Sequence, residues 1–157
     1  MKLLTILGIA VGGSLIAVII LFIVKGIDSR QGEAKGLINL QLSACSAKPN
    51  CVNSEEGTPS DKKVAPFALT EGQIEQDWDR LQRVIRDHGG ELIRVEPGYL
   101  AATFSSSLFG FVDDLEARLD KPNNVIQIRS ASRVGTSDMG ANRTRVALLR
   151  QRYAAKP

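Results

Sequence analysis

The sequence predicts an α+β protein: an antiparallel four-stranded meander with one helix before it and one after it, preceded by one N-terminal transmembrane helix. Three observations predict this class. An uncharged, mostly apolar run occupies residues 3–24, a helical apolar stripe follows around residue 80, and four strand-like segments occupy residues 92–133. The turns between these segments are short, which favours antiparallel pairing because parallel strands need long crossovers.

The apolar run is long enough to cross a bilayer. At about 1.5 Å per residue it spans roughly 33 Å. It is longer than the usual apolar region of a signal peptide, and no A-x-A cleavage site follows. Residues 42–45 resemble a lipoprotein cleavage box, but a polar stretch separates them from the run. We therefore expect a transmembrane anchor over residues 1–25, a tether over 26–40 and a domain over 41–157.

The two cysteines bear on the compartment, because counting lysines and arginines around the anchor leaves its orientation open. Cys45 and Cys51 are close enough in the chain for a disulfide, which would place the domain in an oxidising space. Two unrelated thiols are the alternative. We expect a single-pass protein of the inner (cytoplasmic) membrane, with its domain facing the periplasm or an equivalent compartment.

The first domain helix is predicted to begin at Thr70, which forms a capping box with Gln73. Its apolar face is expected in the core, and Gly89-Gly90 should end it. That face comprises Ile74, Trp78, Leu81 and Ile85. A last helix is predicted from near Asp138 to Tyr153, with one apolar face formed by Met139, Val146, Leu149 and Tyr153.

Four strands are predicted, over residues 92–96, 99–106, 111–120 and 125–133. The turn between the last two should place Asp120 opposite Val125 and Glu116 opposite Arg129. Because side chains alternate across a strand, Asp114 and Glu116 should point outward and form cross-strand ion pairs, worth about 0.2–1 kcal/mol each.

The alternation directs Asp113 inward, opposite Ser132, where a carboxylate needs a partner. Arg143 on the last helix is the candidate, and breaking such a buried pair from one side would cost roughly 3–5 kcal/mol.

An Arg-rich segment joins the last strand to the last helix. Forked guanidinium donors, hydroxyl groups and a helix N-terminus are the components of an anion site. The expected ligand-binding residues are Arg129, Ser130, Ser132, Arg133, Arg143, Arg145, Asp113 and Asp138. A purely structural network of these arginines with nearby carboxylates is the alternative.

Several chemistries lack their signatures. The chain has one histidine and two cysteines, and no phosphate-binding, dinucleotide-binding or G-x-S-x-G motif, so we expect no metal site and no cofactor. Residues 31–120 carry nine basic and fifteen acidic side chains, whereas residues 121–157 carry eight basic and one acidic. The two sections can attract each other, and without interleaved aromatic and basic residues we expect no nucleic-acid partner.

Three motifs in order resemble the domain of unknown function 1499 family. They are Cys45-x5-Cys51-Val52-x-Ser54, Phe109-Gly110-Phe111-Val112-Asp113-Asp114-Leu115-Glu116, and the stretch from Ile128-Arg129 to Asn142-Arg143-x-Arg145. The resemblance covers about residues 40–153. It implies a bacterial-envelope or photosynthetic-organelle protein and supports the pairing of the two cysteines, and it supplies no activity or catalytic residue.

Three functions remain open at this point. The first is an anchored binding module for an anionic ligand or a protein partner, acting through the Arg-rich segment. The second is a hydrolase that uses Asp113 or Asp138 as base; no serine has an evident base beside it, which argues against an enzyme. The third is a structural or assembly role, in which the anchor and an exposed sheet edge recruit another membrane protein.

Overall fold

A computed structural model describes the backbone of residues 2–155 and the side chains of residues 5–155. Residue 1 of the predicted anchor and residues 156–157 of the predicted domain lie outside the described residues. Helix α1 (Lys2–Arg30) continues five residues beyond the predicted end of the anchor. Over Thr5–Arg30 it is long and apolar enough to cross a membrane, a criterion that a signal sequence also meets.

The rest of the chain folds as α+β, as the sequence predicts. Helix α2 (Ile74–Asp87) precedes the predicted meander and helix α3 (Ala141–Ala154) follows it. The strands are β1 (Leu37–Ile38), β2 (Gln41–Leu42), β3 (Cys51–Asn53), β4 (Phe67–Ala68), β5 (Glu91–Glu96), β6 (Tyr99–Ser105), β7 (Val112–Asp120) and β8 (Val125–Ser132). Strands β5 to β8 form the four-stranded antiparallel meander.

The sheet has more strands than the four predicted. Its order is β3-β8-β7-β6-β5, and β4 also pairs with β8, while β1 and β2 form a separate hairpin. Strands β3 and β4 are two or three residues long, too short for a periodic pattern to reveal them. The predicted register between β7 and β8 is confirmed, with Asp120 opposite Val125 and Glu116 opposite Arg129.

One face of the sheet packs against α2 and α3 and forms the apolar core. Its fully buried sheet residues are Leu100, Ala102, Leu115, Ala117, Ile126 and Ile128. The helices contribute the predicted Trp78, Leu81 and Ile85 from α2, and Val146, Leu149 and Tyr153 from α3. Ile74 packs against this cluster while partly exposed.

Two predicted helix details are wrong. Helix α2 begins at Ile74 instead of directly after Thr70, because residues 70–73 form a turn closed by the Gln73 N–H donating to the Thr70 carbonyl. Met139 is not on the apolar face of α3. The helix starts at Ala141, after Gly140 at a φ of +81°, so Met139 precedes it and is fully exposed.

The opposite face of the central strands is buried as well, which the sequence did not predict. Glu116 is fully buried, and Asp114, Arg129 and Asp120 are at least nine-tenths buried. The chain after α1 covers this face: the Gly36 N–H donates to Glu116 Oε1 at 2.7 Å, and the Leu42 N–H donates to Glu55 Oε1 at 2.9 Å. Alternation predicts which face a side chain takes, but nothing local reveals that a distant segment covers it.

The predicted disulfide between Cys45 and Cys51 is present. Cys51 also begins β3, whose residues pair with Arg129, Ser130 and Ala131 of β8. The disulfide therefore links the loop before β3 to the edge of the sheet that holds the Arg-rich segment.

Candidate functional site

Arg133, at the end of β8, joins the sheet to α1. Its Nε and Nη2 donate to the Asp114 carboxylate, at 3.0 and 2.7 Å, and its Nη1 donates to the Ser29 carbonyl at 3.2 Å. The carbonyls in the last turn of a helix lack partners within the helix, and a cation there also meets the negative end of the helix dipole. Arg133 thus caps α1 while it neutralises Asp114.

The predicted pairing of Asp113 with Arg143 is wrong. Arg145 Nη2 donates to Asp113 Oδ2 at 2.7 Å, whereas the exposed Arg143 donates to the backbone carbonyls of Asp61 and Lys63. The cause is the phase of α3. Buried Asn142 faces the sheet, and a residue three positions later lies on the same side of a helix, which brings Arg145 to Asp113.

Asn142 is the centre of a buried hydrogen-bond network that the sequence analysis did not single out. Its Oδ1 accepts from Ser130 Oγ at 2.6 Å and from Arg145 Nη1 at 2.6 Å, and its Nδ2 donates to Ser132 Oγ at 3.0 Å. The available signal was an asparagine within a helix, where its helix propensity is poor. Both predicted serines are therefore held within the domain.

Asp138 caps α3. Its carboxylate accepts from the backbone N–H groups of Gly140 and Asn142, at 3.1 and 2.8 Å. Burial alone would raise the pKa of Asp138. These bonds, together with one from the Asn142 side chain, lower the pKa by more than burial raises it, so it lies below the usual value. Asp138 is thus ionised at neutral pH with its oxygens occupied, and Asp113 is paired with Arg145, so neither predicted base faces a free serine.

Glu116 and Arg129 form the most deeply buried ion pair of the domain, with Arg129 Nη1 2.6 Å from Glu116 Oε2. Glu116 Oε1 accepts a second bond from the Tyr99 hydroxyl at 2.9 Å. Arg129 Nε, by contrast, is buried with no hydrogen-bond partner among the described residues. Burying an unpaired donor is costly, which makes this atom the least satisfied polar group of the Arg-rich segment.

A cleft of about 320 Å³ lies beside Arg129, between the chain that leaves α1 and the disulfide loop. We call it the juxtamembrane cleft; its lining comprises Gly32, Glu33, Lys35, Ser46, Lys48, Asn50, Cys51, Asp114, Arg129, Ala131, Ser132 and Arg133. It thus combines four basic and two acidic side chains. Among the predicted site residues, Arg129, Arg133 and Ser132 line this cleft, whereas Ser130, Arg143, Arg145, Asp113 and Asp138 do not.

The two exposed lysines of the cleft, Lys35 and Lys48, were not singled out by the sequence analysis. Each stands in a polar stretch far from β8 in the chain, so only the fold brings it near Arg129. Among the described residues, no group of three or more His, Cys, Asp and Glu is arranged to hold a metal ion.

Comparison with known proteins yields a family and no function. No curated protein and no solved structure matches the chain. A family model described as a protein of unknown function, DUF1499, matches residues 41–152, which span the disulfide, the whole sheet of β3 to β8, and nearly all of α3. The chain therefore belongs to the DUF1499 family.

Proposed function

We propose that the protein is a single-pass membrane protein of the cell envelope that binds an anionic ligand in its juxtamembrane cleft. Helix α1 would be its anchor, and the domain would face the periplasm or an equivalent space. The length and apolar composition of α1 support the anchor. The disulfide supports the compartment, since such bonds persist in oxidising surroundings.

The unpartnered Arg129 Nε is the observation that carries the binding role. Arg129 lines the cleft and keeps this buried donor without a partner, guanidinium groups recognise phosphate or carboxylate oxygens, and Lys35 and Lys48 add positive charge at the rim. Glu116 engages Nη1 and leaves Nε free. Arg143 and Arg145 have partners elsewhere, so the proposed site uses a smaller set of arginines than the sequence predicts.

The position of the cleft limits which molecules could carry the bound anionic group. Gly32, Glu33 and Lys35 follow α1 within five residues of its last residue, Arg30. With α1 in a bilayer, this places the cleft at the level of the lipid headgroups. The anionic group therefore belongs either to a phospholipid headgroup or to a soluble acidic polymer that reaches the membrane surface.

A charge-matched pair of variants tests the proposal. The rim variant carries Lys35→Gln and Lys48→Gln, and the control carries Arg83→Gln and Lys121→Gln, which remove two exposed positive charges elsewhere. The full chain is reconstituted into phosphatidylcholine nanodiscs for titration with inorganic polyphosphate. It is also extracted from mixed phosphatidylcholine and phosphatidylglycerol vesicles, and the phosphatidylglycerol it retains is quantified.

We expect the rim variant to bind its anion roughly thirtyfold more weakly than the control, since each of its two lysines near a charged surface contributes about 1 kcal/mol. Loss of retained phosphatidylglycerol would identify a lipid headgroup, and loss of polyphosphate binding alone a soluble anion. If the rim variant and the control behave alike with both probes, the cleft does not bind anions and the proposal is wrong.

An assembly role is the second candidate, and the sheet edge favours it. Strand β5 ends the sheet, and its Ile93 and Val95 are half exposed. An unpaired edge strand with exposed apolar side chains is a template for pairing with another chain. A partner that copurifies with the wild type and is lost on Ile93→Lys would favour this role over the anion site. No observation favours the hydrolase.

A further inference from the structure

An aromatic cluster joins α1 to the loop between β6 and β7. The ring of Phe22 stacks on Phe109, with centroids 5.1 Å apart, and meets Phe111 edge-on at 6.1 Å. Phe109 and Phe111 also contact each other, at 6.1 Å. The loop therefore packs against the last apolar turns of α1, before the first charged residue after the run, Lys25.

The depth of this cluster follows from the helix geometry. Phe22 precedes Lys25 by three residues, which is about 4.5 Å along the axis. The apolar run ends at Val24, so hydrocarbon would end near that residue. With α1 in a bilayer, Phe22 lies at the hydrocarbon boundary, and the loop that packs on it lies at the same level.

The domain exposes two large apolar side chains in its loops. Leu108, in the loop between β6 and β7, is 80% exposed, and Met139, before α3, is 100% exposed. Leu108 adjoins Phe109, which stacks on Phe22 of α1. Met139 instead lines a cleft with His88 and Phe104. Water would surround both side chains if the domain stood clear of the membrane.

The orientation of the domain on α1 is held by close contacts. The Val112 N–H donates to Ser29 Oγ at 3.0 Å, and Arg133 caps the end of α1. Gly26 lies against the Phe109 backbone so closely that a Cβ there would overlap the Phe109 carbonyl oxygen. These contacts keep the loop on one side of α1, so the domain does not swing on a flexible tether.

We propose that Leu108 and Phe109 form a second membrane contact that inserts into the bilayer interface beside α1. The proposal rests on the anchoring part of the proposed function and is independent of the anion site. A bilayer is the occupant because the exposed side chains continue the apolar surface of α1. The adjacent Lys25 and Arg30 suit anionic headgroups.

Tryptophan scanning in vesicles tests the contact on the full chain. Leu108→Trp is compared with Leu40→Trp, since Leu40 is equally exposed, at 81%. Leu40 lines a cleft with Arg118 and Asp120 at the far end of β7, and the two ends of that strand, Val112 and Asp120, are about 27 Å apart. Leu15→Trp, within the apolar run, reports insertion of α1 itself. The vesicles contain lipids brominated in their acyl chains, and the wild-type signal of buried Trp78 is subtracted.

We expect strong quenching at position 15, clear quenching with a blue shift at position 108, and none at position 40. If position 108 behaves like position 40 while position 15 is quenched, the second contact does not exist although the anchor does. If position 15 is not quenched, the anchor fails and this proposal fails with it.

A variant at the contact between α1 and the loop shows whether quenching depends on this contact or only on the affinity of tryptophan for membranes. Gly26→Leu should force the loop away from α1, so Leu108→Trp combined with Gly26→Leu should lose most of its quenching. Unchanged quenching would contradict the claim that the packing against α1 holds the loop at the bilayer.

Discussion

Both faces of the central strands β6 to β8 are buried, but by opposite means. The face toward α2 and α3 is apolar and packs helix side chains against Leu115, Ala117 and Ile128. The other face carries Glu116 and Arg129 under residues 31–42, a strap that follows α1 and is irregular apart from the short β1-β2 hairpin. Helices can cover an apolar face because their own backbone is satisfied, whereas an irregular strap needs partners for its N–H groups.

The carboxylates of the second face provide those partners. Glu116 accepts from the Gly36 backbone, and Glu55 accepts from the Leu42 backbone while it binds Arg118 through both oxygens. This face therefore joins the strap, the sheet and the end of α1 through charged hydrogen bonds, which are directional and fail when one partner is removed. The apolar face depends on packing instead.

The largest expected effect comes from breaking the buried ion pair from one side. Glu116→Ala leaves Arg129 uncompensated and should lower the free energy of unfolding by about 3–5 kcal/mol, measured by urea unfolding of the solubilised full chain. The control is Glu96→Ala. It breaks an ion pair with Arg94 whose side chains are about half exposed, and it should change the free energy of unfolding very little because water screens the pair. Equal effects would show that water reaches the second face.

A smaller effect is expected where the second face meets α1. Arg133→Gln removes the charged partner of Asp114 and the cap of α1, and should cost about 2–3 kcal/mol. Arg143→Gln is the matched control, because exposed Arg143 donates only to backbone carbonyls, and it should cost about 0–1 kcal/mol. Urea unfolding measures the free energy of unfolding of both variants. A larger loss for Arg143→Gln than for Arg133→Gln would contradict the role of Arg133 as the cap of α1 and partner of Asp114.

The smallest expected effect is the loss of the Asp138 cap of α3, which packs on the apolar face, and this effect on the free energy of unfolding should depend on pH. The pKa of Asp138 is lower in the folded state than the unfolded value of about 3.9, so its stabilisation is present above that value and is lost as the pH falls through the folded pKa. Asp138→Ala should cost about 1 kcal/mol at pH 7.

The stability difference between wild type and Asp138→Ala should depend on pH. The difference between wild type and Asp138→Ala should shrink toward zero as the pH is lowered from about 5 to about 2, measured by urea midpoints. Asp61→Ala, at an exposed carboxylate, is the control and should show little difference at any pH. A constant difference for Asp138→Ala across this range would contradict the lowered pKa.

Local patterns predicted the meander well, and the reason is local. The strands alternate, and the turn at residues 121–124 is short, so the pairing of β7 with β8 follows from sequence neighbours alone. Asp113 was correctly placed opposite Ser132. The partner predicted for it was wrong because that choice depends on which side of α3 faces the sheet, and Arg143 and Arg145 lie about 200° apart around the helix axis.

The residues of the candidate site were harder to predict from local patterns. Arg129 and Arg133 stand out in the sequence as members of an Arg-rich segment. The free donor is Arg129 Nε, and it is free because Glu116 on another strand engages Nη1 instead. Lys35 and Lys48, which line the same cleft, belong to other parts of the chain. Composition indicates that an anion site is plausible, but it does not indicate which arginines are already engaged.

The sequence by itself determined the elements: an apolar N-terminal helix, an amphipathic α2, the meander with its register, and a cysteine pair close enough to bond. These follow from periodicity and short-range geometry, which act between neighbours in the chain. Only the tertiary structure decided that the segment after α1 covers a charged face, that Arg133 caps α1, and that Phe22 packs on the loop of Phe109. Those contacts join residues that lie some 80 to 100 positions apart, and no local preference specifies which distant groups will satisfy each other's hydrogen bonds and charges.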